Sequence, residues 1–150
     1  MEITIVFDLL KKNKPAGLYF AYGANMSKRS MLARCPHAKP VKAFYLLDWR
    51  LMFSHHATIV PAAGTAVAGC LWEITEECER SLDHFEGYPN YYNKIWLTQH
   101  GLSFMAYEMN PPLNPKYTPA PQYVRLLEEG YNDWELDPQY LDDALYYELG

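Results

Sequence analysis

Apolar and polar positions along this chain fall into short, separated runs. Residues 18–22, LYFAY, form an unbroken apolar and aromatic run that ends in Gly23, Ala24 and Asn25. A run of this length and composition predicts a buried strand. VKAFYLL (41–47) and WRLMFSH (49–55) read as two strands with Asp48 near the turn between them, and AVAGCLWEI (66–74) reads as another. YNKIWLTQ (92–99) and LSFMAYEM (102–109) predict two more strands, turning at His100-Gly101. Residues 54–66 and 110–121 read as loops, the second carrying five prolines.

Helical signals sit between and after these strands. SKRSMLAR (27–34) has Asn25 or Ser27 as a cap and Pro36 as a stop. EECERSLDHFE (76–86) has Thr75 as N-cap, Glu76 and Glu77 in its first turn, and Gly87 as its end. Pro121 and Pro138 mark the first turns of two closing helices. Residues 1–14 read as a short strand and linker, so that 1–17 form an N-terminal extension to one domain over 18–150. Strand–helix alternation is too sparse for a doubly wound sheet. The pattern predicts a single α+β domain with a strongly curved or closed mixed sheet.

Composition narrows the function classes. A chain of 150 residues suits one core, and thirteen tyrosines suit packed β structure or a lined pocket. A formal net charge of −5 argues against a surface that tracks phosphates, so no nucleic-acid partner is expected. The late acidic residues Glu128, Glu129, Asp133, Glu135, Asp137, Asp142 and Asp143 read as a solvated helical face. Cys35, Cys70 and Cys78 are odd in number and irregularly spaced, which fits free thiols in a reducing cytosol. No apolar run reaches the ~18 residues of a membrane span, and Glu2 and Asp8 precede the first lysines, the wrong charge order for a signal peptide. The expectation is a cytoplasmic protein with no membrane partner.

Two places carry candidate chemistry. On a helical wheel, Cys78, Leu82, Phe85 and Glu86 share one apolar stripe, while Glu76, Glu77 and Asp83 point elsewhere. A carboxylate on a core-facing stripe is costly unless it is paired or working. Burial and the helix C-terminus both raise its pKa toward the range of a general base, the alternative being a frayed last-turn glutamate that reaches solvent. The second place is the end of LYFAYGAN, where a strand stopping at Gly23 leaves backbone N–H groups free to meet an anion or a carbonyl oxygen. Other candidates read as structural. Cys35-Pro36-His37 is packing at a helix end, and Trp49, Trp72, Trp96 and Trp134 are core or rim. His55 and His56 point to opposite faces of a strand and cannot easily share a metal ion, so no metal site is expected.

The segments LYFAYGAN, EGYPNYYNK, FMAYEMN and PAPQYVRLLEEGYNDWELDPQYLDDAL occur in this order between about Leu18 and Leu145. Together they resemble the γ-glutamylcyclotransferase family. The resemblance implies a small closed mixed β-barrel with surrounding helices. It implies Glu86 as the catalytic general base and acid, and a substrate-binding segment of Tyr19, Phe20, Ala21, Tyr22, Gly23, Ala24 and Asn25, with Tyr107 as a late pocket residue. Ala24 stands where the family commonly has Ser or Thr, which removes a hydroxyl but no backbone N–H. The implied partner is a small-molecule γ-glutamyl amide, with no cofactor and no metal, acting in a monomer or homodimer. The implied reaction closes the glutamyl group on itself, releasing 5-oxoproline and a free amine. That amine could belong to an amino acid, the ε-position of a lysine, or an acylated secondary metabolite such as an aminoglycoside. A non-catalytic small-molecule-binding barrel is the rival class, and the carboxylate at Glu86 argues against it.

Overall fold

A computed structural model describes residues 15–147; the strand and linker expected over 1–14 lie outside them. The elements run β1 (Pro15–Ala21), a 3-10 turn (Ala24–Met26), α1 (Lys28–Arg34), β2 (Lys39–Ser54), β3 (His56–Thr75), α2 (Glu76–Glu86), β4 (Tyr92–Gln99), β5 (Leu102–Met109), α3 (Pro121–Asp133) and α4 (Gln139–Tyr147). Local chemistry sets the helix ends. Ser27 Oγ accepts the amide of Ser30 and starts α1, so Ser27 and not Asn25 is the cap. Thr75 caps α2, and Gly87 ends it in the left-handed region at φ 66°, where a Cβ would be strained.

The five strands form one mixed sheet in the order β2-β3-β1-β5-β4. β1 is central, antiparallel to β3 and parallel to β5. Residues 39–75 are one long hairpin, which differs from the expected pair of strands and a loop over 54–66. The chain reverses at His55, with Ser54 paired to His56. Asp48 is not a turn: it sits at a register shift in β2 between Leu47 and Trp49, with φ 66°, and its Oδ1 accepts the amide of Gly64 at 3.1 Å. The polar residues that look like turn signals therefore build a bulge, which bends the hairpin.

The expected closed barrel becomes a curled sheet that backbone hydrogen bonds do not close, because β2 and β4 remain its edges. Side chains bridge the gap instead. Tyr92 OH donates to Ala57 O at 2.6 Å, and Thr58 Oγ1 accepts the amide of Met109 at 2.8 Å. The curl brings the start of β3 against β4 and β5, beside the C-terminal end of β1. Trp96, expected in the core or rim, lies 71% exposed on edge strand β4.

The core forms between alternate faces of these strands. Phe20 packs on Phe44 and Phe104, which themselves meet edge to face at 5.3 Å. Gly69 makes room for that cluster. A Cβ there would stand 2.4 Å from Ala21 O and 2.7 Å from the Phe20 ring. Gly69→Ala must push back the strand that feeds the 3-10 turn. The expected cost is about 1–3 kcal/mol of stability, the usual range for overpacking, read as a lower denaturant midpoint at unchanged slope.

Candidate active site

The strand β1 ends in a tightly held corner. The 3-10 turn closes with Met26 N donating to Gly23 O at 3.1 Å and Ser27 N to Ala24 O at 3.3 Å. The amides of Ala24 and Asn25 thus have no acceptor inside the turn. Two tryptophans fix its carbonyls: Trp72 Nε1 donates to Asn25 O at 3.0 Å and Trp134 Nε1 to Met26 O at 2.7 Å. Their rings meet edge to face at 5.5 Å. Gly130 of α3 lies so close that a Cβ on it would be 2.6 Å from the Met26 Cβ. Part of the acidic stretch expected to be solvated does this clamping as well. Glu129 accepts from Ser27 Oγ at 3.1 Å and pairs with Arg29 at 2.9 Å, while Asp133 accepts the amide of Lys28 at 2.8 Å.

The corner walls a cavity of about 190 Å³. Its interior is buried Tyr19, Tyr22, Ala24, Asn25, Ala57, Tyr92 and Tyr107, with Tyr123 arriving from α3. Its mouth is formed by His56, Phe85 and Tyr91. Glu86, at the C-terminus of α2, is the one carboxylate lining it among the described residues. A larger groove of about 1080 Å³ runs between the β2–β3 hairpin and α4. It shares no residue with the Glu86 cavity and is open to solvent.

Glu86 is partly buried and has one close donor among the described residues, Asn25 Nδ2 at 3.4 Å from Oε1. The same nitrogen donates to Tyr19 OH at 3.1 Å, and Arg34 Nη1 donates to Asn25 Oδ1. Burial pushes the Glu86 carboxyl up to about 7, and the Arg34 charge offsets only part of that. Burial, reinforced by the Glu86 charge, also pushes the hydroxyls of Tyr19, Tyr22, Tyr92 and Tyr123 above their ordinary range, so they stay neutral donors. Tyr22 OH donates to Tyr107 O at 2.5 Å, whereas Tyr123 OH accepts the amide of Ala57 at 3.0 Å and keeps its own proton.

The residues expected at the site divide in two. Glu86, Tyr19, Tyr22, Gly23, Ala24, Asn25 and Tyr107 gather around the cavity. Phe20 and Ala21 do not reach it: the Phe20 ring packs into the core, and Ala21 pairs with Cys70 in the ladder. Tyr107 presents its ring edge-on to Tyr19 at 5.8 Å, but its hydroxyl donates to Asp83 Oδ1 at 2.6 Å. Asp83, expected to point away, takes that bond and an ion pair with Lys94 at 2.9 Å. Phe85, expected on the buried stripe, is 46% exposed and stacks under the Arg34 guanidinium at 3.5 Å. His55 stacks on Tyr117 outside the cavity while His56 enters its mouth. Tyr91, Tyr92 and Tyr123 complete the lining from EGYPNYYNK and PQYV, segments that only the fold brings together. Among the described residues, no three His, Cys, Asp or Glu side chains gather as metal ligands, and no helix is long and apolar enough to cross a membrane.

Fold and site together define a small α+β protein with one desolvated carboxylate in a tyrosine-walled pocket, an arrangement suited to acid–base chemistry. A family model described as gamma-glutamyl cyclotransferase, AIG2-like, matches residues 19–135, and the chain belongs to that family. A Bos taurus gamma-glutamylcyclotransferase is 27% identical over 149 residues, covering 89% of this chain and 79% of the relative. A solved gamma-glutamyl cyclotransferase superposes with a TM-score of 0.74 at 26% identity over 85% of each chain. YkqA of Bacillus subtilis shares the fold, with a TM-score of 0.72 at 18% identity over 99% of this chain and 58% of that one.

Two stability effects follow from this geometry. The folded chain holds a proton on Glu86 up to about 7, whereas the unfolded chain releases it in the ordinary carboxylate range. Between those limits the folded state binds more protons, so stability falls as pH rises, and the loss is complete above pH 7. Glu86→Gln should therefore raise stability by about 1–3 kcal/mol at pH 8 and change it little at pH 4; melting temperatures at both values check this. Tyr107→Phe removes a hydrogen bond to the Asp83 carboxylate. The expected loss is about 1.5–3 kcal/mol, seen as a lower melting temperature.

Proposed function

We propose that this protein cleaves γ-glutamyl amides by intramolecular attack, releasing 5-oxoproline and a free amine. The observation that supports this most is Glu86: a carboxyl held at about 7, in a cavity lined by a corner whose first amides have no acceptor inside their own turn. A γ-glutamyl amide carries its own nucleophile. Its α-amino group is an ammonium at neutral pH, and a carboxyl held at about 7 can take one of its protons and later give one up.

In this reading the substrate binds with its α-ammonium against the Glu86 carboxylate. Glu86 takes one proton, and the freed nitrogen lone pair attacks the γ-carbonyl carbon. The new C–N bond closes a five-membered ring while the carbonyl π electrons move to oxygen. The amides of Ala24 and Asn25 meet that developing oxyanion. The oxyanion collapses, the bond to the departing amine breaks, and that nitrogen takes the proton back from Glu86. The ring nitrogen's second proton passes to bulk solvent, and a solvent proton leaves the amine in its ammonium form. The Tyr19 and Tyr123 hydroxyls, each accepting a bond and retaining a proton, suit the glutamyl α-carboxylate. Holding the chain folded converts the attack into an oriented ring closure, for which effective molarities reach roughly 10⁵–10⁸ M.

The test is 5-oxoproline release from a mixed panel of γ-glutamyl amines. Wild-type kcat/KM should rise with pH up to about 7, as Glu86 loses its proton, and fall again at alkaline pH, where the substrate loses its ammonium. Glu86→Gln should lower kcat by roughly 10²–10⁴-fold, the range for one acid–base group, with the circular dichroism spectrum unchanged. Near-normal turnover in that variant would remove Glu86 from the mechanism.

A further inference from the structure

We infer that the departing amine carries a flat aromatic group, bound outside the cavity on a rim made by Phe85, His56 and Tyr91. The inference rests on the cyclotransferase reading above and names the substrate class of that same site.

Burial sets the division of labour. The cavity of about 190 Å³ is backed by buried tyrosines, so a glutamyl group seated against Glu86 leaves its departing amine at the mouth. The interior is buried, but the mouth is not: Phe85 is 46% exposed and Tyr91 41% exposed. Exposed aromatic rings continuous with a pocket mark a contact surface.

The rim is also arranged before anything binds. The His56 ring stands edge-on to Tyr91 at 5.9 Å and to Tyr123 at 5.1 Å, and its Nδ1 lies 3.0 Å from Tyr91 OH. One face of Phe85 is held by the Arg34 guanidinium, itself tied to Asn25. Rings fixed in this way lose little freedom when a flat group stacks on them. Burial holds the His56 imidazolium below its ordinary pKa, so the ring is neutral at pH 7.

Charge selects among the amines. Arg34 lies behind the rim, stacked on Phe85 and tied to Asn25, and Glu86, the one carboxylate lining the cavity among the described residues, is committed to the glutamyl end. A polycationic amine would meet the guanidinium, and among the described residues the cavity lining offers it no second carboxylate. A small amine such as glycine would leave the rings in water. An aromatic amine covers them.

The experiment compares 5-oxoproline release from γ-glutamyl-phenylalanine, γ-glutamyl-glycine and γ-glutamyl-cadaverine. The phenylalanine substrate should show a kcat/KM about tenfold above glycine, the gain of one well-placed aromatic contact, and cadaverine should be the poorest. Phe85→Ala should bring the phenylalanine-to-glycine ratio near one, while Phe85→Tyr, which keeps the ring, should retain it. Equal rates for phenylalanine and glycine, or cadaverine as the best substrate, would overturn the inference and leave the cyclotransferase reading standing. No 5-oxoproline from any of the three would overturn that reading and the inference with it.

Discussion

The structure turns on one costly act, the partial burial of the Glu86 carboxylate with, among the described residues, a single amide to hold it. Asn25 Nδ2 is the close donor, and Asn25 is itself only 2% exposed. A buried side-chain amide must satisfy its oxygen and both its hydrogens. Here the oxygen takes Arg34, and the hydrogens go to Tyr19 OH and Glu86. Every group that meets Glu86 is therefore already committed to another part of the fold. A carboxylate held by several charged partners would titrate low and be a weak base. Held by one amide, it stays near neutrality, where a base is useful.

That arrangement works only if Asn25 cannot move, and most of the remaining architecture serves this end. The two tryptophans come from β3 and from the residue after α3, and they hold consecutive parts of the turn through Asn25 O and Met26 O. Glu129 and Asp133, four residues apart on α3, grip the start of α1. The C-terminal third of the chain thus braces a corner formed near residue 24. Gly130 allows the close approach, since even a methyl group there would overlap Met26.

Much of this was legible in the residues, for reasons that are local. Caps, stops and the apolar stripe of α2 are short-range patterns, so α2 and Glu86 fall where the spacing puts them. What was not legible depends on what lies opposite. A helical wheel gives Phe85 a direction but not a covering layer, and at the end of α2 the sheet no longer covers that face. Asp48 and Gly64 read as loop residues because nothing in sequence says that each completes the other across a bulge. Glu129 of α3 reads as solvated because its partners, Ser27 and Arg29, lie about a hundred residues earlier. Tyr92 and Tyr123 were hidden for the same reason, since only tertiary approach makes them neighbours.

The tyrosines join the two halves of the argument. The sheet does not close by backbone pairing, so the start of β3 leaves polar groups facing the gap. An unpaired buried amide or carbonyl costs about as much as a lost hydrogen bond. Tyr92 and Tyr123 meet both polar groups of Ala57, and Tyr22 meets the carbonyl of Tyr107. Phenylalanine would fill the same space and leave those groups bare. A serine or water would satisfy them and admit solvent beside Glu86. A tyrosine does both tasks with one side chain: its hydroxyl bridges the open sheet and its ring keeps water away from the carboxylate. The incomplete barrel and the perturbed glutamate are thus one feature, because the side chains that close the first desolvate the second.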